Sequence, residues 1–134
     1  MAVDAILGLL GLSRKAGKLA YGEEQVRDMV ASGKCRVIFL ASDAGDATRR
    51  KVERHDIRVP VLTLPWDRET LGNAIGIKRE CTVCAINDIG MANAIAGKLV
   101  NTGAANQRAA ERVAEKKARI DFRKHKKKKE NGDQ

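Results

Sequence analysis

Residues 36–41 read RVIFLA, five apolar side chains in a row after one arginine. A strand wetted on one face alternates apolar with polar residues, whereas a strand covered on both faces has no position to give to a polar one. The run therefore predicts a buried central strand, and the segments that follow extend the pattern. VPVLTL (59–64) reads as a second strand, with Pro60 near its start, where a missing N–H matters least. CTVCAI (81–86) reads as a third. Between and after them come helices announced by acidic caps. Asp46 is placed to cap a helix running to His55, and Asp67 to cap one through Ile75. Asp88 precedes a last helix whose buried stripe is Ile89, Ala92, Ile95, Ala96 and Leu99. Strands alternating with helices at this pitch predict an α/β chain, with a parallel or mixed sheet between two helical layers in a three-layer α/β/α sandwich.

Toward the N-terminus, Val3, Ile6, Leu7 and Leu10 recur at helical spacing, which predicts a helix over about residues 4–15. Gly17 ends it, with Arg14 and Lys15 in the last turn, where the helix dipole favours cations. Leu19–Tyr21 is long enough only for a brief strand. Gly22 then opens a helix with Val26, Met29 and Val30 on one face, closed by Gly33. Toward the C-terminus, AANQRAAERVAEKKARIDFRKHKKKK is rich in helix formers but shows no wide apolar face. It predicts a helix that is solvated or ordered only on binding, trailing into a disordered lysine run. Two parts follow: a domain over 1–103, expected to fold alone, and a basic C-terminal extension over 104–134.

Charge divides at the same place. Residues 1–103 carry 15 Lys and Arg against 12 Asp and Glu, while residues 104–134 carry 11 against 5, or +6 of the chain's net +9. Such an extension favours a polyanionic partner. Aromatics are only 3% of the 134 residues, so aliphatic side chains must fill the core. The opening MAVDAILGLLGLSRK has no basic leader, and Asp4 and Gly8 break its apolar stretch, so it is a poor export signal and too short for a membrane span. Three cysteines in an otherwise ordinary composition suit a reducing, cytoplasmic setting.

Three motifs invite a chemical reading and fail it. RKAGKLAYGEEQ (14–25) contains a Gly-Lys pair, but a phosphate loop needs four residues between its glycines and a Ser or Thr after the lysine. Here five residues separate Gly11 from Gly17, and Leu19 follows Lys18. Cys81 and Cys84 have the spacing of a zinc half-site. In an extended run, however, an odd separation sends the two thiols to opposite sheet faces, and there is no second pair, so buried structural thiols are expected and no metal. The acidic loop Ser42–Asp46 resembles the strand end of a phosphoryl receiver, yet such a domain begins with a strand and this chain begins with a helix. His55 and His125 lie in unrelated contexts. Neither a nucleophile–base pair nor a carboxylate pair is visible, so no enzymatic activity and no cofactor are expected.

What remains is a surface. Lys15, Lys18, Gly22 and the start of the second helix surround one short strand. Backbone N–H groups at a helix start and two lysines suit a phosphate backbone, while Gln25 suits a base edge. The bland alternative is a solvated basic face beside a turn.

The order helix, GKLAYGEEQVRDMVASGK, VIFLASD, VPVLTL, LGNAIG, AINDIGMANAI resembles the kink-turn-binding ribosomal protein superfamily (the L-seven-Ae/L-thirty-e group), in particular its small bacterial YlxQ-like members. The resemblance covers residues 4–100. It implies the L-thirty-e-like fold and binding to RNA at kinked helix–internal loop–helix elements. The family's Gly-x-Asn-Glu reader falls on Gly22-Glu23-Glu24-Gln25, where the glycine agrees and Glu24-Gln25 replace Asn-Glu. Asp28 stands where archaeal members carry lysine, with Arg27 beside it. The family's loop against the flipped-out nucleotide falls on Ile77, Lys78, Arg79 and Glu80, and there Arg79 can stack. Asp43, at the end of the first long strand, completes the set of candidate RNA contacts.

The reading is thus a non-enzymatic, ribosome-associated RNA-binding monomer with no membrane partner. Its target is ribosomal RNA or another kink-turn, and the extension adds sequence-independent affinity. The alternatives are a ribosomal structural or assembly protein without independent specificity, and a protein-interaction module that kept the fold and lost the RNA site.

Overall fold

In the computed structural model, which describes the backbone of residues 2–132 and side chains from Ala5 to Lys126, six α-helices surround one four-stranded sheet. The elements in chain order are α1 (Ala2–Lys15), β1 (Leu19–Tyr21), α2 (Glu23–Ala31), β2 (Val37–Leu40) and α3 (Asp46–Glu53). A short 3-10 turn (Arg54–Ile57) leads to β3 (Val61–Thr63), α4 (Arg68–Ile75), β4 (Val83–Ile86), α5 (Ile89–Gly97) and α6 (Ala104–Gly132). The sheet order is β1-β4-β2-β3. β1 and β2 both run antiparallel to β4, and β2 runs parallel to β3, so the sheet is mixed.

Strand β2 behaves as its composition requires. Its residues divide by alternation: Val37 and Phe39 enter the core beside α1, α4, α5 and α6, while Ile38 and Leu40 enter the core beside α2 and α3. All four are without solvent exposure. Each fully buried side chain of this size contributes about 1.5–3 kcal/mol relative to exposure, which makes β2 and its neighbour β4 the centre of the fold.

The caps were legible at two of three positions. Asp67 accepts from the Thr70 N–H at 2.8 Å, and Asp88 from the Met91 N–H at 2.8 Å. Asp46 does not cap α3. Gly45 holds that position without a side-chain bond, and Asp46 is the first helical residue, where its charge still suits the dipole.

The largest departure from the sequence reading lies in α6. Composition points to a solvated helix, but Asn106, Ala109, Ala110 and Val113 are buried. Their spacing of three, four and seven is a helical stripe built mostly from alanine, too weakly apolar to stand out in sequence. The stripe lies along the edge strand β3. There the Thr63 N–H donates to Asn106 Oδ1 at 2.9 Å, and Asn106 Nδ2 donates back to the Thr63 carbonyl at 2.8 Å. One carboxamide thus supplies both hydrogen bonds that a further strand would have supplied. Arg112 holds the next turn, donating to Asp56 Oδ1 at 2.9 Å and to the Asp56 carbonyl at 2.6 Å.

Helix α6 then continues to Gly132 through the lysine run, where composition predicts disorder. Ala, Arg, Lys and Glu are good helix formers, and a helix already nucleated against a core propagates at little cost. We propose on these grounds that the folding unit extends past Gly103, to about Ile120. A chain ending at Gly103 is expected to lose much of its cooperative thermal transition, and a chain ending at Ile120 to keep it. Asn106→Ala is expected to cost about 1–3 kcal/mol in urea unfolding, because it strips the Thr63 amide of both partners.

Candidate nucleic-acid interface

Tyr21 ends β1, and one backbone angle at Gly22 turns the chain into α2. Gly22 sits at φ 86°, ψ 154°, a region that side-chain-bearing residues rarely enter. A Cβ there would meet nothing within 4 Å, so the angle, and not crowding, demands glycine. Its N–H donates to the Val83 carbonyl at 2.9 Å, which anchors the turn to the first residue of β4. A glycine N-cap brings no side chain to the start of α2. The first-turn N–H groups thus have no side-chain cap, while Glu23 and Glu24 in that turn offset part of the helix-start charge.

Gln25 is held from behind. Alternation along β1 points the Tyr21 N–H off the outer edge of the sheet, and Gln25 Oε1 accepts it at 3.3 Å. That bond identifies which end of the carboxamide is oxygen and leaves the amide hydrogens as free donors. The sequence offered Gln25 for a base edge, and part of its acceptor capacity is spent on β1. Glu24 and Asp28 are exposed on the same helix. Glu23 turns toward α3, with an oxygen 3.8 Å from Lys51 Nζ, and Arg27 lines the same α2–α3 groove.

The α4–β4 loop meets β1 at this end of the sheet. Ile77 is half-buried against the core, and its N–H donates to the Gly72 carbonyl at 3.1 Å, so it is a packing residue in this structure. Lys78 and Arg79 are exposed. The Arg79 guanidinium lies 5.4 Å from the centroid of the Tyr21 ring, and Arg14 reaches the same ring at 5.6 Å. Arg14 also donates to the Ile75 carbonyl at 3.0 Å, at the C-terminus of α4. Two guanidiniums over one aromatic ring form a cationic platform beside Gly22. Neither Arg14 nor Tyr21 was among the sequence candidates. The available signal was that the chain's single tyrosine adjoins the glycine.

Arg68 arranges the loops behind this platform. Its N–H donates to Asp43 Oδ1 at 2.9 Å, and its Nε lies 3.4 Å from Asp43 Oδ2 and 3.2 Å from Glu80 Oε2. The Asp43 carboxylate therefore ties the β2–α3 loop to α4. A Cβ on Gly72 would run into the Arg79 carbonyl, so that glycine lets the α4–β4 loop close down on α4.

Lys15 and Lys18 are exposed at the α1–β1 turn, and the structure separates Lys18 from Gly22. The Lys18 carbonyl accepts from the Asn87 N–H at 3.1 Å, just past the far end of β4. Lys18 and Gly22 thus stand at opposite ends of β1, about 13 Å apart along the strand. The candidate surface is a strip along that edge and not a cluster.

The thiols also depart from expectation. Cys81 and Cys84 lie in the same core cluster, because β4 begins at Val83 and strand alternation does not reach Cys81. The hydrogen bond from Cys84 draws the Cys81 thiol below its usual value, while that bond and burial push Cys84 well above. Burial pushes Cys35 up to about 11.

Residues 4–96 match the Ribosomal protein L7Ae/L30e/S12e/Gadd45 family. The chain belongs to that family. Over 87 residues it is 33% identical to the RNA-binding protein YlxQ of Bacillus subtilis (strain 168), an alignment covering 63% of this chain and 85% of that one. It is 38% identical over 47 residues to the RNA-binding protein YlxQ of Enterococcus faecium, covering 35% of this chain and just 46% of that relative. A solved structure of a protein with unknown function from Bacillus halodurans C superposes with a TM-score of 0.65 at 35% identity, covering 70% of this chain and 95% of that one. The family match ends before α6. No described helix is long and apolar enough to cross a membrane.

Two outcomes follow from the backbone and the thiols. Gly22→Ala is expected to destabilise by about 1–3 kcal/mol in urea unfolding, through strain alone. A raised folded-state pKa at Cys35 favours the folded protein while the thiol is neutral. That contribution is complete below 9.0 and lost as pH rises toward about 11. Unfolding of Cys35→Ala across that window should therefore show a shallower alkaline decline than the parent.

Proposed function

We propose that this protein binds structured RNA of the kink-turn type, in association with the ribosome, through the Gly22 end of the sheet. The observation that carries the reading is the adjacency, in a chain of this family, of three things: the open start of α2, the free amide of Gln25, and the Arg14–Tyr21–Arg79 platform. The helix start takes a phosphate, the amide takes a base edge, and the platform takes the face of an unstacked base. The names of the two YlxQ relatives support RNA as the ligand class. Lys15, Lys18 and Lys78 supply charge along the strip, and the exposed cations of α6 add affinity that does not depend on sequence.

Because Gln25 also closes the edge of β1, its role in binding is best read with a substitution that spares the fold. Gln25→Glu keeps an oxygen for the Tyr21 N–H and removes the donor. It is expected to leave stability near that of the parent and to reduce discrimination between a kinked RNA and a plain duplex by about 1–3 kcal/mol. Lys18→Ala should weaken both RNAs alike and lower the salt slope by about one unit. Asp28→Lys should tighten kinked-RNA binding by restoring the cation of archaeal relatives. A parent protein without preference for kinked RNA, in which Asp28→Lys creates none, would defeat the reading. Binding seen only with whole ribosomal particles would favour a structural or assembly role.

A further inference from the structure

At the end of the sheet opposite Gly22, the C-terminus of α2, the approaches to β2 and β3, and the flank of α6 enclose a groove of about 350 Å³. The two ends are well defined by β4. The Gly22 N–H bonds to Val83, the first residue of that strand, and the Arg36 N–H bonds to Ile86, the last. One wall of the groove carries Arg36 and Arg58. The other carries Arg112, Lys116 and Arg119, with Glu115 as the acidic group among the lining residues. Arg112 is committed to Asp56 and fixes the angle of α6. Arg36, Arg58, Lys116 and Arg119 enter no ion pair among the described residues.

The spacing of Arg112, Lys116 and Arg119 places them on one helical face, and the charge does not stop at the groove. Helix α6 runs on for about 20 Å beyond Arg119, with Arg123, Lys124 and Lys126 exposed. A linear array of cations, most of them in no ion pair among the described residues, suits a linear polyanion better than a single small anion. Phe122, 68% exposed and flanked by Arg119, Arg123 and Lys126, selects among polyanions. An aromatic face among guanidiniums offers a stacking surface to a nucleobase, which an acidic peptide does not need.

We propose that this groove is a second RNA-backbone site, so that one chain holds two RNA segments at once, one at each end of the sheet. The site is separate from the start of α2 and from the Arg14–Tyr21–Arg79 platform, while Lys18, bonded through its carbonyl to Asn87 just past β4, stands at the groove's end of the sheet. It joins RNA through phosphates and stacking, without base-edge readout.

The test uses the full chain, a donor-labelled kinked RNA and an acceptor-labelled plain duplex with a short single-stranded overhang, whose unpaired bases are free to stack. The parent should bring both labels together in one complex. The doubly neutralised variant R36Q/R58Q should still bind kinked RNA with the parent's affinity, and that retained binding reports an intact fold. It should lose capture of the duplex, and the salt slope of duplex binding should fall by about two units, one per guanidinium removed. K116Q/R119Q, on the opposite wall, should lose duplex capture in the same way. The difference in duplex binding between the parent and R36Q/R58Q reads the groove whether or not the Gly22 end prefers kinked RNA, because both proteins keep the strip along β1, so the two readings fail separately. A duplex that never joins the complex, or joins R36Q/R58Q as well as the parent, overturns the proposal. Displacement of the duplex by a polyglutamate peptide of matched charge overturns it in favour of an acidic protein partner.

Discussion

Val37, Ile38, Phe39 and Leu40 have no contact with water on either side, and the rest of the molecule is arranged to keep it so. Successive residues of a strand face opposite ways, so one buried strand demands two helical layers. Helices α1, α4, α5 and α6 supply one and α2 and α3 the other. The strands of the sheet are three or four residues long, so every loop emerges at one of two ends only about 10 Å apart. The candidate surfaces are those ends. The site chemistry is therefore a consequence of a short sheet buried on both faces.

A short sheet still has two edges, and both are closed here by carboxamides. Asn106 pairs with both backbone groups of Thr63 on β3, and Gln25 accepts from Tyr21 on β1. A carboxamide carries a donor and an acceptor side by side, the same pair that a neighbouring strand presents, so it can end a sheet without leaving a sticky edge. The consequence differs at the two edges. Asn106 is buried and structural, whereas Gln25 is exposed and keeps its amide hydrogens for a partner. One residue thus joins the stability of β1 to the chemistry of the Gly22 end.

The electrostatics follow the same geometry. Acidic groups near the Gly22 end are mostly engaged. Asp43 and Glu80 hold Arg68, and Glu23 faces Lys51. Arg14 and Arg79 are gathered on Tyr21, and on the far side of the molecule the cations of α6 face Arg36 and Arg58. Exposed ion pairs of this kind contribute little to stability, so their effect is to orient loops, and Glu24 and Asp28 stay exposed on α2 beside the gathered guanidiniums.

The sequence by itself determined the layers, the strands and most of the helix starts, because hydrophobic periodicity and caps are local signals. RVIFLA predicted its own burial, and Asp67 and Asp88 announced their helices by bonds that reach only three residues ahead. It also marked Gly22 as the residue that opens α2, though the backbone angle that demands glycine there came only with the structure. Tertiary structure decided what depends on residues far apart in the chain. Arg14, Tyr21 and Arg79 come together only when α1, β1 and the α4–β4 loop pack, and nothing in their separate contexts requires it. Lys18 and Gly22 are neighbours in sequence but stand at opposite ends of β1, because an extended strand carries its two ends apart. The fate of α6 was hidden for a related reason. A stripe of Asn106, Ala109, Ala110 and Val113 is too small to read as a core face until the edge of β3 offers it two backbone groups to satisfy.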